Sequence, residues 1–312
     1  MEGRLTGRRF DGRVVVVTGG ARGLGRAYTE LVGSLGASLL INDNGSALGG
    51  DGSDCGPAEQ AVAELGAAGI EAVASTDSVA TPEGGRAIVE AALDAYGRID
   101  ALICNAGNNR FAALDETSYE DFRAVLDVHM LGAFHVVRPA FAAMARAGYG
   151  RVVLTGSIGG LYTMPNTVNY AMSKSAMIGL NNAIAVEGAD RGIKSNVILP
   201  GAVTRMAEGL DTSQYPPMGP ELVAPMVGWL AHESCSVSGE LYVAVAGRMA
   251  RAFVTETRGI YRPEWSIDAV GESIDAIRDE SERWTFHPCE NGFGEHLARS
   301  FAMAGTGAGE GG

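Results

Sequence analysis

The stretch VVVVTGGARGLGRAYTE, residues 14–30, decides the fold of this chain. Its four valines predict a buried strand, and the apolar residues at three- and four-residue steps after it predict a helix. Between the two lie Gly19, Gly23 and Gly25, spaced G-x-x-x-G-x-G. Glycine lets the backbone turn sharply there and lets a pyrophosphate approach the N–H groups that begin the helix. The position of this turn, between the first strand and the first helix, predicts a dinucleotide site.

Short apolar runs, often β-branched, recur along the chain and are separated by segments of helical length. The predicted strands are residues 14–17, 38–41, 72–74, 101–104, 151–154, 196–199 and 241–245. The predicted helices are residues 23–35, 58–68, 84–95, 119–147, 169–191 and 221–232. Such alternation is typical of a parallel sheet buried on both faces. The sequence therefore predicts an α/β fold, a Rossmann-like, doubly wound, parallel seven-stranded sheet with helices on both faces.

The alternation stops after Gly247, which divides the chain into two predicted parts. Residues 1–247 form a predicted dinucleotide-binding catalytic domain, and residues 248–312 form a C-terminal extension that is helical over 266–280. The glycine-rich end, residues 305–312, is predicted to be disordered. The extension has three open roles: it caps the substrate cleft, packs on a partner subunit, or covers core.

Composition argues against several classes of protein. The formal net charge of −13 disfavours nucleic acid or an anionic membrane as a partner. Four widely spaced cysteines show neither a zinc motif nor a disulfide framework, so no metal site is predicted. The charged N-terminus does not read as a secretory signal, and no run of 18 uncharged apolar residues occurs. These features predict a cytoplasmic protein.

The second predicted strand ends at Asp43, 18 residues after Gly25. A carboxylate at this place reaches the adenosine ribose hydroxyls and repels a 2′-phosphate, which favours NAD over NADP. Arg22 could favour NADP by pairing with that phosphate, but it can equally serve the pyrophosphate of either cofactor. A helix cap or loop carboxylate is the alternative interpretation of Asp43.

A tyrosine and a lysine lie four residues apart at the start of a predicted helix, as Tyr170 and Lys174. This spacing places both on one helix face, and Ser157 ends a strand thirteen residues upstream of Tyr170. A phenol is a poor base at neutral pH, but an adjacent ammonium and an oxidised nicotinamide would lower its pKa. Tyr170 would then take a hydroxyl proton while hydride leaves to the cofactor. A nucleotide-binding protein without catalysis is the non-enzymatic alternative.

On these residues the chain resembles the short-chain dehydrogenase/reductase family over residues 12–247. The family's motifs appear as the glycine turn 18–25, Asp77-Ser78-Val79, Asn105-Ala106-Gly107, Ser157, Tyr170, Lys174 and Pro200-Gly201-Ala202-Val203-Thr204. The resemblance implies that Asp77 faces the adenine and that Asn105 holds the central strands together. It also implies that residues 200–204 line the nicotinamide and that Lys174 binds its ribose.

His129 departs from the family pattern, because most members have an asparagine at this place in the fourth helix. The family residue anchors a water that links the lysine to solvent. Either a relay role or a buried structural role is open for the imidazole. The predicted catalytic residues are therefore Ser157, Tyr170, Lys174 and His129. The predicted cofactor-binding residues are Gly19, Arg22, Gly23, Leu24, Gly25, Asp43, Asp77, Ser78, Asn105, Ala106, Gly107, Tyr170, Lys174, Pro200, Gly201 and Val203.

A narrower resemblance is to the (3R)-hydroxyacyl-CoA dehydrogenase domains of the peroxisomal multifunctional enzymes of type 2. It rests on Ile41-Asn42-Asp43, Thr76-Asp77-Ser78-Val79, Val128-His129-Met130, Tyr149-Gly150-Arg151 and the segments 223–230 and 232–235. The resemblance implies NAD-linked interconversion of a 3-hydroxyacyl-CoA and its 3-ketoacyl form. A hydroxysteroid or other hydrophobic secondary alcohol, or a 3-oxoacyl reduction with NADPH, is the alternative.

The predicted acyl pocket consists of residues 108–111, 158–168 and 206–218, with Tyr162, Met164, Met206 and Met218 as apolar lining. CoA phosphates would need Arg110, Arg205, Arg251 or Arg258. Family members pair through the helices that correspond here to residues 119–147 and 169–191. Small residues at positions 171, 175, 176 and 179 would allow close helix approach, so a homodimer or homotetramer is predicted.

Overall fold

The computed structural model describes residues 7–204 and 214–307. The chain divides into two compact units after Arg251. In the first unit the strands are β1 Val14–Thr18, β2 Ser38–Asn42, β3 Ala72–Ser75, β4 Ala101–Cys104, β5 Gly150–Thr155, β6 Ile193–Gly201, β7 Glu240–Val245 and β8 Arg248–Ala252. Its helices are α1 Gly23–Ser34, α2 Gly56–Ala67, α3 Pro82–Tyr96, α4 Tyr119–Leu126, α5 Gly132–Ala147, α6 Ile158–Leu161, α7 Val168–Gly188 and α8 Ala224–Ala231.

The predicted Rossmann-like fold is confirmed. The described strands form an eight-stranded sheet in the order β3-β2-β1-β4-β5-β6-β7-β8, and every neighbouring pair from β3 to β7 is parallel. The order reverses between β1 and β4, and a doubly wound sheet opens a ligand crevice at this point, outside the carboxyl ends of the strands. All five residues of β1 are buried, as expected for a strand covered by helices on both faces.

The sheet contains one strand more than the seven predicted. Ala246 and Gly247 both have positive φ, 49° and 78°, and form the two-residue turn that leads from β7 into its neighbour β8. A turn of this kind joins antiparallel strands. The alternating apolar pattern that predicts a strand is weak in the sequence RMARA, so the sequence places residues 248–252 in the extension. The first compact unit consequently runs past the boundary predicted after Gly247.

The predicted helix 119–147 contains a π-helical turn, Asp127–Leu131, between α4 and α5. Within the described residues this continuous run is the one helix long and apolar enough to cross a membrane by length and composition. Its buried residues include Val136, Ala140 and Met144, and it packs on α3, α7 and the sheet. The run therefore serves as a core helix in this fold.

The second unit begins at Ala252 and has its own elements. They are the antiparallel strands β9 Glu256–Thr257 and β10 Arg283–Trp284 and the helices α9 Ile267–Glu272, α10 Ile274–Ile277 and α11 Gly292–Gly307. The single helix predicted over 266–280 is thus interrupted, because Ser273 between α9 and α10 leaves helical geometry with ψ near 1°. Helix α11 also extends through Gly305, where the sequence predicts disorder.

Candidate active site

The glycine turn after β1 is built by close backbone packing. Gly19 and Gly23 have positive φ, 61° and 54°, which favours glycine. A Cβ on Gly25 would lie 2.0 Å from the Gly19 carbonyl oxygen, so the start of α1 can pack here only without a side chain. No side chain of residues 7–204 or 214–307 caps the N-terminus of α1. Its first N–H groups are therefore directed to the crevice in the way an anionic ligand requires.

The strand ends on both sides of the turn are joined through Thr18 and Asn105. The Thr18 hydroxyl accepts hydrogen bonds from the backbone N–H groups of Asn105 and Ala106, at 3.0 and 3.2 Å. The Asn105 side-chain amide donates to the Gly19 carbonyl at 3.0 Å. Asn105 therefore ties β4 to the turn that follows β1, in agreement with the role that the family resemblance implies.

A cleft lies along the carboxyl edge of the sheet at the reversal between β1 and β4. Twelve of the predicted cofactor-binding residues line it: Gly19, Arg22, Gly23, Leu24, Asp43, Asp77, Ser78, Asn105, Ala106, Gly107, Tyr170 and Lys174. Gly25 packs behind the turn, and Pro200, Gly201 and Val203 do not border this cleft, although Thr204 does. Residues 46–48 and Thr155 also line the cleft, but no sequence motif predicts this role for them. The sequence indicates it only by their positions, close after β2 for residues 46–48 and two residues before Ser157 for Thr155.

Asp43 and Arg22 meet at one end of this cleft. An Arg22 guanidinium N–H donates to Asp43 Oδ1 at 2.8 Å, and the Gly45 N–H donates to the same oxygen at 2.9 Å. Asp43 is buried, with 6% of its surface exposed. Asp43, which favours NAD, and Arg22, which could favour NADP, therefore form an ion pair with each other.

Ser157, Tyr170 and Lys174 come together at the other end. The Ser157 hydroxyl is hydrogen-bonded to the Tyr170 phenol, and its Oγ also accepts from the Gly159 N–H at 3.0 Å. Lys174 Nζ lies 5.6 Å from the centroid of the Tyr170 ring and donates to the Thr155 carbonyl at 2.8 Å. A helical spacing of four residues and the end of β5 therefore bring together the three side chains that the sequence selects.

The electrostatics of this group differ from the sequence expectation of an acidified phenol. Burial raises the pKa of Tyr170 above its usual value, and the hydrogen bond from Ser157 offsets part of this rise. Burial also lowers the pKa of Lys174 to about 7. The lysine is therefore only partly charged at neutral pH, and the pKa of the buried phenol stays above its usual value.

His129 is buried in the π-helical turn beside Tyr170. The two rings are edge-on, with centroids 5.4 Å apart. His129 Nε2 lies 3.0 Å from the backbone nitrogen of Asn108 and 2.8 Å from its carbonyl oxygen. Burial, followed by the positive charge of Lys174, lowers the pKa of His129 to about 3, so the imidazole is neutral at physiological pH.

Four buried polar atoms on cleft-lining residues have no hydrogen-bond partner within the described parts of the chain. They are Arg22 Nε, Asn108 Oδ1, His129 Nδ1 and Thr155 Oγ1. Buried polar groups in folded proteins are almost always paired, and clustered exceptions mark places where a ligand or ordered water completes the bonding. Together with the uncapped α1, these atoms fit a polar, anionic ligand such as a dinucleotide.

Fold and site together define an oxidoreductase of the short-chain type. The family model described as short chain dehydrogenase matches residues 13–214, and the chain belongs to this family. As members of the family do, it acts on CH–OH groups with NAD(H) or NADP(H).

Two relatives and one solved structure place the chain within the family. It is 40% identical over 257 residues to peroxisomal multifunctional enzyme type 2 of Drosophila melanogaster, covering 82% of this chain and 42% of that protein. A Mycobacterium tuberculosis protein named as a short-chain type dehydrogenase/reductase is 39% identical, covering 87% of this chain and 92% of the relative. The full-length Drosophila structure aligns with a TM-score of 0.77 and 33% identity, over 93% of this chain and 49% of that one. The chain thus spans less than half of the multifunctional relative.

Proposed function

We propose that this chain oxidises a 3-hydroxyacyl-CoA to its 3-ketoacyl-CoA with NAD. The observation that carries this proposal is the Ser157, Tyr170 and Lys174 group at the end of a dinucleotide cleft, in a chain 40% identical to peroxisomal multifunctional enzyme type 2. Yeast and Neurospora relatives, 36% and 39% identical, are named hydratase-dehydrogenase-epimerases. The dehydrogenase part of that name is the part that the present fold and site support.

Asp43 supports NAD as the cofactor. Its carboxylate is buried at the end of β2, where a 2′-phosphate would be placed against it. Repulsion between two anions is strong where water is excluded. Arg22 already donates to Asp43, so binding of a 2′-phosphate would have to break that ion pair before gaining a cation.

In the proposed reaction Tyr170 acts as the general base. Its phenol oxygen takes the proton of the substrate hydroxyl, while Ser157 donates a hydrogen bond to the oxygen that carries the developing charge. When bound, oxidised nicotinamide accepts the hydride, and its positive charge favours the phenolate. Lys174, with a pKa lowered to about 7, is poised to give up or take a proton near neutral pH.

We propose a positioning role for His129 rather than a proton relay. Its pKa of about 3 keeps the ring neutral, and Nε2 is engaged by the backbone of Asn108. A Cβ on Gly107 would lie 2.5 Å from the imidazole, so this ring also fixes the loop that follows β4. His129 thereby sets the position of residues 105–108 along the cleft.

A second candidate substrate class, hydrophobic secondary alcohols without CoA, is favoured by the arginines. Arg110 pairs with Asp51 and Asp121, Arg251 with Glu240, and Arg258 with Glu282. Arg205 and Met206, also predicted to bind substrate, lie outside the described residues. The arginines predicted for CoA phosphates are thus engaged by carboxylates wherever the structure describes them.

An exposed apolar side chain lies beside Tyr170, because Phe111 is edge-on to the Tyr170 ring at 6.4 Å. Ile158, Tyr162 and Met164, in the segment between Ser157 and Tyr170, are exposed as well. Exposed apolar side chains beside a catalytic group are typical of a site for a hydrophobic substrate. A hydrocarbon chain or ring carrying the reacting hydroxyl fits this chemistry.

The test is an NAD reduction screen with purified protein. It compares 3-hydroxyacyl-CoA thioesters of several chain lengths with the same acids lacking CoA, with hydroxysteroids and with simple secondary alcohols. We expect the thioesters to have the highest kcat/KM. A steroid or free alcohol with an equal kcat/KM would favour the second candidate substrate class. A higher kcat/KM with NADP than with NAD would contradict the assignment of NAD as the cofactor.

We also propose that the chain forms a homodimer or homotetramer in the cytoplasm. Ala171, Ser175, Ala176 and Gly179 of α7 line a shallow, mainly apolar groove that also includes the exposed Met172. An exposed apolar patch of this kind is typical of a subunit interface. Cys55, Cys104 and Cys235 form no disulfide among the described residues, as is usual in a reducing compartment. Light scattering and fractionation test these two proposals.

A further inference from the structure

Residues 44–51 form a short loop after β2, which we name the strap. The loop is closed on itself by two hydrogen bonds, from the Gly50 N–H to the Ala47 carbonyl and from the Ala47 N–H to the Asp51 carbonyl, both 3.0 Å. Gly50 has a φ of 87°, and a Cβ there would lie 2.5 Å from the Asn108 amide. The strap therefore needs glycine where it meets the loop after β4.

The strap is attached on both sides of the cleft. On the side of Asp43, Arg22 donates to the Ser46 carbonyl at 3.3 Å. On the other side, the Asn109 N–H donates to the Leu48 carbonyl at 2.9 Å, and Arg110 Nε donates to the Gly49 carbonyl at 2.7 Å. Since Arg22 follows β1 and Arg110 follows β4, the strap crosses the carboxyl edge where these two strands are neighbours.

The strap is also a wall of the dinucleotide cleft. Ser46, Ala47, Leu48 and Gly50 line the same cavity as the glycine turn, Asp77 and Tyr170. A segment that starts directly after Asp43 and is bonded to Asn109 and Arg110 extends from the Asp43 end of the cleft towards Tyr170. Its closed position is therefore suited to retain a bound ligand.

Arg110 holds this segment in place. One guanidinium nitrogen donates to Asp51 at 2.7 Å, and the other donates to Asp121 in the first turn of α4 at 2.9 Å. The Asn169 side chain, next to Tyr170, donates to the Arg110 carbonyl at 2.8 Å. Arg110 is mostly buried, with 19% of its side chain exposed, whereas Asp51 is 77% exposed. The ion pair of Arg110 with Asp51 of the strap is therefore solvated on the Asp51 side and contributes little stability, so it can open easily.

We propose that the strap is a coenzyme-retaining element and that Arg110 is its latch, a proposal that rests on dinucleotide binding as the proposed function. NAD enters and NADH leaves when the bonds from residues 109 and 110 to the strap open. Opening of this latch, and not hydride transfer, then controls how fast the coenzyme exchanges.

The experiment measures NADH dissociation by stopped-flow fluorescence in the full chain and in Asp51→Asn, Arg110→Lys and Arg110→Met. We expect about a tenfold faster dissociation in Arg110→Met, with smaller increases in Asp51→Asn and Arg110→Lys, which keep part of the latch. The double variant Arg110→Met/Asp51→Asn should dissociate no faster than Arg110→Met alone. Arg86→Met is the matched control, because it removes an exposed Arg–Glu pair on α3 far from the latch and should leave dissociation unchanged.

Hydrogen exchange without dinucleotide gives a second readout. In Asp51→Asn and Arg110→Met, the amides of Ala47, Gly50 and Asn109 should exchange at least severalfold faster, because their bonds form the closed strap. If NADH still binds but its dissociation rate is unchanged in Asp51→Asn and in Arg110→Met, the proposal that the strap retains the coenzyme is wrong. Failure of the unaltered protein to bind NADH would instead overturn the proposed function.

Discussion

Lys174 lies one helical turn after Tyr170, and its Nζ is 5.6 Å from the centre of the phenol ring. The same Nζ donates to the carbonyl of Thr155 at the end of β5. Both side chains are buried, and burial moves their pKa values in opposite directions, up for the phenol and down for the ammonium. Lys174 therefore loses its proton readily near neutral pH, whereas Tyr170 keeps its proton. A further positive charge beside the phenol would make Tyr170 easier to deprotonate.

The first prediction concerns the base. Tyr170→Phe removes the phenol oxygen but keeps the ring that contacts Phe111 and His129. We expect kcat to fall by about a thousandfold or more, because general base catalysis at this atom is lost. NADH affinity, measured by fluorescence titration, should stay within about twofold of the unaltered protein. A variant that turned over at the original rate would show that another group takes the proton.

The second prediction concerns Lys174 and the stability of the fold. Its pKa lies near 7 in the folded protein and near 10.5 when unfolded, so between these values the unfolded chain binds more protons. Stability from this group is complete above pH 10.5 and is lost as the pH falls towards 7, by about 1.4 kcal/mol per pH unit. Urea unfolding at pH 7.5 and 8.5 should show this rise in the unaltered protein and not in Lys174→Met. Equal pH dependence in both proteins would contradict the lowered pKa.

The third prediction concerns the choice of cofactor. Asp43→Asn removes the charge that opposes a 2′-phosphate and releases Arg22 from its ion pair. We expect the ratio of kcat/KM for NAD to that for NADP to fall by about tenfold to a hundredfold. Asp54→Asn, on the same loop, is the control and should leave the ratio unchanged. Adding Arg22→Ala to Asp43→Asn should remove the gain for NADP. A constant ratio in Asp43→Asn would assign the selectivity to other residues.

The fourth prediction separates positioning from proton transfer at His129. His129→Leu leaves the buried Asn108 backbone without its side-chain partner, and unfolding should become easier by about 1–3 kcal/mol. His129→Asn, which can still hydrogen-bond, should recover most of this loss. Because the ring is neutral with a pKa of about 3, the pH dependence of kcat should be the same in the unaltered protein and in His129→Asn. An inflection near neutral pH that disappears in His129→Asn would restore the relay.

Much of the fold follows from local pattern. Buried parallel strands have continuous apolar runs, such as VVVVT in β1, and the residues Tyr170 and Lys174 share a helix face by spacing alone. The position of Ser157 also follows, because it is the second residue after the buried strand β5. What these features have in common is that the information lies within a few neighbouring residues.

Other features of the structure could not be predicted, because they lack a local sequence signal or depend on residues distant in the sequence. The π-helical turn around His129 contains no proline or glycine that would indicate it, and α11 contains four glycines, which disfavour a helix. The ion pair of Arg22 with Asp43 and the bond of Arg110 with Asp51 join loops from different strands. The raised pKa of Tyr170 likewise reflects burial, which no spacing of residues discloses.

The hairpin that adds β8 has a consequence for how this protein behaves at high concentration. A bare outer strand offers unpaired N–H and C=O groups to any other chain and so invites fibre growth. Here the outermost strand is short and presents Arg248 and Arg251 to solvent, and Arg251 pairs with Glu240 of β7. Charged side chains on an edge strand act against edge-to-edge pairing with a second copy. The turn at Ala246 and Gly247 thus ends this side of the sheet on a strand that carries such side chains.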